Sequence, residues 1–541
     1  EGPAPIVMTA EDGTPLPLRR LGVRGQVDEL LAFTELDMVF ANGEGRALEA
    51  GLTITLPAGA QVARFAVFEG GDWQEAEVVP RRGAYSELIA GDRAPALAAA
   101  AVVGDRLRAR GLRIRPGTTR IVVAYVEHLG GRGPYRVPLA GLPRLDELDV
   151  RVIGRDFMAR GTGEVRRLPD GRQLYLRHED GVRPAGDLSV QIGGARALGL
   201  RHDGMVVARV SPVPHDHADP LANLTILFDT SASQALDFER HVDRLGALID
   251  AMRGWSHEDL AVRVLAFDQG VAPIYEGPIS GFDDAALAAI RRRGPLGASN
   301  LMEALRAVAS LRGPSERLLL LSDGVVTSGA GGVEALRSEV ARLGKGGIRR
   351  VDAIAVGGLT QPRLLEALTR AGLAGDGLVL RGDLPPEVIV RKLGHEVHSG
   401  LAVKVEGSEW VFPSRIDAVQ ADDSVLVFAE LQEESEGSLR VAIEGAHAVG
   451  AQEIAVAPAS AASLLEHAWS AAYVGWMGEQ ERRCEAEGSD LCAIWRRRIA
   501  EVSTRRRILN ESTALALLGR PEDYRRFGLD GAAPPAILAF D

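Results

Sequence analysis

The chain has 541 residues, 46% of them hydrophobic and 25% charged, and a formal net charge of −12. That is enough for about three or four domains of ordinary size, in a composition that is globular rather than disordered. The acidic balance argues against a dedicated nucleic-acid binder, which needs a basic surface or stripe to neutralise phosphates; the clusters Arg291–Arg293, Arg496–Arg498 and Arg505–Arg507 sit among acidic residues and read as solvated helix faces.

No apolar run reaches the length of about 18 residues that a membrane helix needs, the longest candidate being Ala96–Val103, so no membrane span is expected in this chain. The first residue is Glu1 rather than Met, as expected of a product trimmed of a signal segment or of a piece of a longer protein.

From residue 1 to about 220 the pattern is β-rich. Short apolar or alternating runs (Ala50–Leu56, Val62–Phe68, Arg120–Val126, Gln173–Leu176, Met205–Val210) are separated by Gly, Pro and Asp turns. From Leu221 to about Gly400, buried apolar strands alternate with amphipathic helices, the mark of an α/β domain with a mostly parallel sheet. The strands expected are Leu224–Phe228, Leu260–Phe267, Arg317–Leu321 and Val351–Val356. The intervening helices show apolar faces at Phe238, Val242, Leu245, Ile249 and Met252, and at Leu301, Leu305 and Val308.

Strand-like runs return at Leu401–Val405, Ser424–Leu431 and Leu439–Ile443, and a helical pair follows from Ala461 to Ile508, with Trp469, Trp476 and Trp495 as core anchors. The only two cysteines, Cys484 and Cys492, flank a polar Gly-containing loop between these helical patterns. A disulfide there closes a helical hairpin and implies an oxidising compartment. The divisions expected are 1–134, 135–220, 221–398, 399–460 and 461–541: two β-rich segments, the α/β domain, a further β-sandwich segment, and a helical hairpin with its tail.

The chemistry concentrates where Asp229-Thr-Ser231-Ala-Ser233 follows the first buried strand and precedes the first amphipathic helix. Ligands of open α/β sheets sit outside the carboxyl ends of the strands. One carboxylate and two hydroxyls in such a turn offer hard oxygen donors to a hard cation. A second loop, Gly297-Ala-Ser299-Asn300, puts another hydroxyl at a helix start, and Ser322-Asp323-Gly324 ends a strand with a second carboxylate. Five oxygen-bearing residues would thus meet at one sheet edge. Octahedral Mg²⁺ wants six ligands, which leaves room for a water or an outside carboxylate.

The ordered set Asp229-x-Ser231-x-Ser233, Ser299 and Asp323-Gly324 resembles the metal-ion-dependent adhesion site of von Willebrand factor A domains. The resemblance implies direct ligation by Ser231, Ser233 and Ser299, and ligation mostly through water by Asp229 and Asp323. It also implies Mg²⁺ (or Mn²⁺ or Ca²⁺) as the ion and a partner's Asp or Glu completing its shell. The family usually has Gly where Ala232 stands and Thr where Ser299 stands.

Residues near 20 to 130 are similar to a VIT domain, the module of vault proteins and inter-alpha-trypsin inhibitor heavy chains. The matching residues are Phe40-Ala-Asn42, Leu56-Pro-Ala58-Gly-Ala60-x-Val62-x-x-Phe65, Ala84-Tyr85, and Ile114-x-Pro116-Gly117 leading to Val122-x-x-Tyr125. Leu509–Gly528 resembles the tail of bacterial proteins that join the two modules.

Two histidine-bearing segments are set aside as sites. His215-Asp-His217 lies in a Pro-bounded linker, and His395-Glu-Val-His398 has its histidines three apart, where a zinc-protease helix needs four. Neither a nucleophile elbow nor a P-loop is present. The expectation is therefore a non-enzymatic, extracytoplasmic module for metal-dependent protein binding or adhesion. An intracellular assembly subunit and, behind it, a metal-dependent hydrolase are the alternatives.

Overall fold

The buried apolar runs between residues 221 and 400 build one six-stranded sheet. In chain order its unit comprises β1 (Asn223–Asp229), α1 (Phe238–Trp255), β2 (Ala261–Phe267), β3 (Val271–Pro278), α2 (Asp284–Arg293), α3 (Leu301–Ser310), β4 (Arg317–Ser322), α4 (Val333–Leu343), β5 (Arg350–Ala355), α5 (Pro362–Thr369), β6 (Val379–Arg381) and α6 (Pro386–Leu393). This computed structural model describes residues 4–529 except 58, 81–98, 104–105, 130–133, 156, 161, 193–197, 236, 256–259, 312–314, 358–359, 433–436, 489–491, 511, 519–520 and 528. Of the VIT-like motif residues and the tail, Ala58, Ala84, Tyr85, Glu511, Gly519, Arg520 and Gly528 lie outside the described residues.

The strand order is β3-β2-β1-β4-β5-β6. All neighbours are parallel except β3, which returns antiparallel on β2 at the edge. Helices cover both faces. Phe238, Val242, Leu245 and Ile249 of α1 pack with Ile290 of α2 and Ile389 of α6 on one side, and Leu301 and Leu305 of α3 pack with Leu336 of α4 and Leu364 of α5 on the other. Burial on both faces is why β4 reads as the unbroken apolar run Leu318–Leu321. The sequence reading passed over β3 and β6: β3 is an edge strand with an incompletely buried, irregular pattern, and β6 is only three residues long.

At the amino ends of the strands a buried ion network ties the sheet together. Arg317 donates to Asp219 at 2.9 Å and to Asp352 at 3.0 Å, and Arg350 donates to Asp352 at 2.7 Å and to Asp219 at 3.1 Å. The same guanidinium groups hold the carbonyls of Leu393 and His395, so the segments entering and leaving the unit are pinned side by side.

The rest of the chain departs from the expected divisions. Strand Leu145–Gly154 pairs in parallel with Leu18–Asp28, so a single thirteen-stranded sheet runs through the expected boundary at 134/135. Strands Gly199–His202 and Met205–Val210, ahead of β1, share an eight-stranded sheet with strands from 401–458; Met205–Val210 pairs with Val425–Leu431 and Gly199–His202 with Gly450–Pro458. The α/β unit is thus inserted into one sheet rather than flanked by separate β domains at 135–220 and 399–460. Pairing between strands so far apart leaves no local trace, because each carries the same alternating pattern whichever partner it takes.

Helices Ala462–Ala486 and Cys492–Arg506 form the expected hairpin, closed by a Cys484–Cys492 disulfide. Trp469 stacks on Tyr473 and packs against Trp410, and Trp476 meets Trp495 edge-on. The tail contains a strand the sequence reading missed: Thr513–Leu517 pairs antiparallel with Asp72–Pro80 of the thirteen-stranded sheet. Its Ala-Leu repeat has no intrinsic strand preference; the strands on either side of it, Asp72–Pro80 and Ala99–Val103, impose the conformation. No helix among the described residues is long and apolar enough to cross a membrane.

Candidate metal centre

The chain leaves β1 toward β2 on one side and resumes at β4 on the other, so the carboxyl ends of β1 and β4 border the crevice where strand order reverses. Asp229 is the last residue of β1, and Asp323 follows β4 directly. Both are buried, at 2% and 1% exposure.

Hydrogen bonds splice the three loops. Asp229 accepts the Ser231 backbone N–H at 2.9 Å through one carboxylate oxygen and the Ser322 hydroxyl at 2.6 Å through the other, joining the first loop to the end of β4. The Ala232 N–H donates to the Gly297 carbonyl at 3.0 Å and the Leu296 N–H to the Thr230 carbonyl at 3.0 Å, joining the first loop to the second. Thr327 and Ser328 donate their N–H groups to the Ser299 carbonyl, both at 3.1 Å, joining the second loop to the segment after Asp323. Ser231 and Ser233 hydroxyls lie 3.1 Å apart; Ser231 and Ser299 are buried, while Ser233 is exposed. The structure thus brings the loops of all five predicted residues to one sheet edge. Cys484 and Cys492 lie elsewhere, in the hairpin.

Ser299 lacks the methyl group that restrains a Thr rotamer, but its backbone is clamped on both sides: its N–H donates to the Thr327 hydroxyl at 2.8 Å and its carbonyl takes the two N–H groups just named. Asn300 caps α3 by accepting the Glu303 N–H. Gly297 (φ +81°) and Gly324 (φ +75°) take left-handed conformations open to glycine, which is why each loop carries one there.

The electrostatics are unbalanced. Burial pushes the Asp323 carboxyl up to about 6 against the lowering pull of the nearby Ser233 hydroxyl and of the Val325 N–H, with the Asp229 charge adding to the rise. Burial raises Asp229 as well, against the opposing pull of its hydrogen bonds from Ser231 and Ser322. Asp323 Oδ1 accepts the Val325 N–H at 2.8 Å, but its Oδ2 is buried without a hydrogen-bond partner. A buried carboxylate oxygen without a donor is costly unless a cation meets it. Two buried carboxylates beside hydroxyl oxygens form a donor set suited to a hard divalent ion.

Residues that sequence reasoning missed complete the site. Ser322 holds Asp229, Thr327 holds Ser299, and Gln234 is a buried amide with both polar atoms unpartnered. A Cβ placed on Gly357 would lie 3.3 Å from the Gln234 Oε1 and 3.4 Å from the Asp323 Cβ, which puts Gln234 next to Asp323. Ser322 was legible, lying beside Asp323 at a strand end; Gln234 carried no signal, since an amide in a short 3₁₀ turn is ordinarily solvated.

No family model and no curated protein matches the chain. Among solved structures it is similar to a von Willebrand factor type A protein from Catenulispora acidiphila, at 15% identity and TM-score 0.29 over 57% of this chain and 83% of that one. It is also similar to a manganese-loaded TRAP protein of Plasmodium vivax, at 13% identity and TM-score 0.25 over 42% of this chain and 98% of that one. A third, BatB from Bacteroides thetaiotaomicron, matches at 14% identity and TM-score 0.25 over 32% of this chain and 97% of that one. Likeness at this level carries no weight for function; the site's own geometry does.

Proposed function

We propose that the inserted α/β unit is a von Willebrand factor A-type domain that holds a divalent cation and binds a protein partner through it. The supporting observation is the buried, unpartnered Oδ2 of Asp323 beside the second buried carboxylate of Asp229. None of the ion pairs formed among the described residues neutralises either group. Ser231, Ser233 and Ser299 would supply hydroxyl oxygens directly, and Asp229 and Asp323 would balance the charge, mostly through water. The ion, Mg²⁺ or else Mn²⁺ or Ca²⁺, would supply Lewis acidity toward a carboxylate from a partner's Asp or Glu. Among the described residues, the side-chain hydrogen bonds of Asp229 and Asp323 join them to serine and main-chain groups and to no histidine or glutamate that would serve as a base, which favours binding over hydrolysis.

The N-terminal sheet belongs to the same reading as a VIT-type module, and the Cys484–Cys492 disulfide supports an extracytoplasmic setting. The test is calorimetric titration of Mg²⁺ and Mn²⁺ into wild type and Asp229→Ala, followed by a metal-dependent pull-down from native surroundings with both. Heat and capture in wild type alone are expected. Identical behaviour of the two proteins would overturn the reading.

A further inference from the structure

Two histidine segments that looked unpromising in sequence converge in space with a third. His217 lies on the segment that leads into β1, His398 on the segment that leaves α6, and His447 in the turn between strands Ser438–Glu444 and Gly450–Pro458 of the eight-stranded sheet. Main-chain bonds fix all three. The Glu396 N–H donates to the His217 carbonyl at 2.8 Å, His398 and Val419 exchange bonds at 2.8 and 3.0 Å, and the Val449 N–H donates to the Pro212 carbonyl at 2.9 Å.

The ring centroids are 5.0 Å apart for His217 and His447, 5.2 Å for His398 and His447, and 6.1 Å for His217 and His398, with interplanar angles of 63°, 45° and 72°. The rings converge and none of the pairs is stacked. A tetrahedral metal with N-ligand distances of about 2.0–2.1 Å holds imidazole centroids about 5.2 Å apart. Two of the three separations already have that value, and the third is about 1 Å long.

We propose that His217, His398 and His447 form a transition-metal site of the Zn²⁺ type, bridging the two connections of the inserted unit to the hairpin turn of the eight-stranded sheet. As the side chains stand, no group of three His, Cys, Asp or Glu among the described residues has its donor atoms gathered for a metal. Loading therefore turns the rings about their χ angles, while the backbone that carries them stays in place. The chemistry of the surroundings fits. Imidazole nitrogens suit Zn²⁺, Ni²⁺ or Cu²⁺ far better than Mg²⁺. The Asp216 carboxylate, which faces His395 at 3.3 Å, stands next to His217 as a candidate fourth ligand. His447 takes φ +61°, a left-handed conformation in which His, like Asn and Asp, is found more often than other side chains, and it is exposed at this junction. A metal here joins segments some 180 and 50 residues apart in sequence and fixes how the inserted unit is hinged on its host sheet.

The test uses the full chain stripped with chelator and kept in saturating Mg²⁺, which occupies oxygen sites. Co²⁺ is titrated in as a spectroscopic stand-in for Zn²⁺. A visible d–d band of tetrahedral cobalt saturating at a single equivalent is expected. His217→Gln and His447→Asn should abolish it while melting like wild type in EDTA; Asn is chosen because it accepts the left-handed conformation at 447. Asp229→Ala should keep the band, so this inference and the proposed function fail separately. Absence of the band in wild type, or its persistence in both histidine variants, overturns the proposal.

Discussion

Asp323→Asn should make the metal-free protein more stable and the metal-loaded protein less so. The Asp323 carboxyl sits at about 6 against an ordinary value of 3.8. At about 1.4 kcal/mol per pH unit, keeping it ionised at neutral pH costs the folded state about 3 kcal/mol. The sign follows: a raised carboxyl favours the protonated folded form, so this group's cost is absent below about pH 3.8 and is fully developed once pH has risen through about 6. Asparagine removes the charge and keeps an oxygen for the Val325 N–H, but leaves a buried amide N–H where Oδ2 stood without a partner, which returns about 1–2 kcal/mol. A net gain of about 1–2 kcal/mol is expected in urea unfolding at pH 7.5 with EDTA. In wild type, Mg²⁺ at a hundred times its Kd should add about 2.7 kcal/mol, and in the variant almost nothing. A variant that is less stable in EDTA, or that responds to Mg²⁺ like wild type, would refute the claim that a cation answers the charge at Asp323.

Other consequences can be measured in the same way. Ser322→Ala removes the hydroxyl that donates to Asp229 at 2.6 Å and accepts the Gly324 N–H; Mg²⁺ affinity should fall about tenfold or more by calorimetry, and an unchanged affinity would detach Ser322 from the site. Asp352→Ala removes one of the two carboxylates that Arg317 and Arg350 share and leaves both buried guanidinium groups on Asp219 alone, and a loss of about 3–5 kcal/mol in urea unfolding is expected; a loss under about 1 kcal/mol would show that the network relaxes. His467, in the first hairpin helix, has both ring nitrogens buried and unpartnered although the residue as a whole is half-buried, and burial pushes it down to about 4. Its folded value lies below the unfolded 6.5, so wild type should lose stability as pH falls from about 6.5 to 4, up to about 3 kcal/mol in all; urea midpoints of His467→Leu should lack that component, and parallel pH profiles would count against it. Replacing Cys484 and Cys492 together by Ser opens a loop of sequence separation 8 and should cost about 2 kcal/mol, visible as earlier melting of the hairpin helices by circular dichroism.

The inserted unit was legible because its signals are local. A strand buried on both faces shows as an unbroken apolar run, a helix against a sheet as apolar residues three and four apart, and a crevice at a strand end as Asp229 or Asp323 stopping such a run. The hairpin and its disulfide were legible for the same reason: the cysteines bracket one loop between two periodic segments. The edge strand β3 and the interior strand Thr513–Leu517 were not, since their own residues do not demand the conformation and neighbouring strands supply it.

What the sequence determined by itself is therefore the α/β character of the centre, the five oxygen-bearing residues and their order. Tertiary structure alone decided that residues 199–210 and 401–458 form one sheet around the insertion, that Gln234 lies beside Asp323, that Arg317, Arg350 and Asp352 lock the sheet's far end, and that His217, His398 and His447 meet. Periodicity records which face of an element is buried, whereas the identity of the partner that buries it is a property of the folded chain.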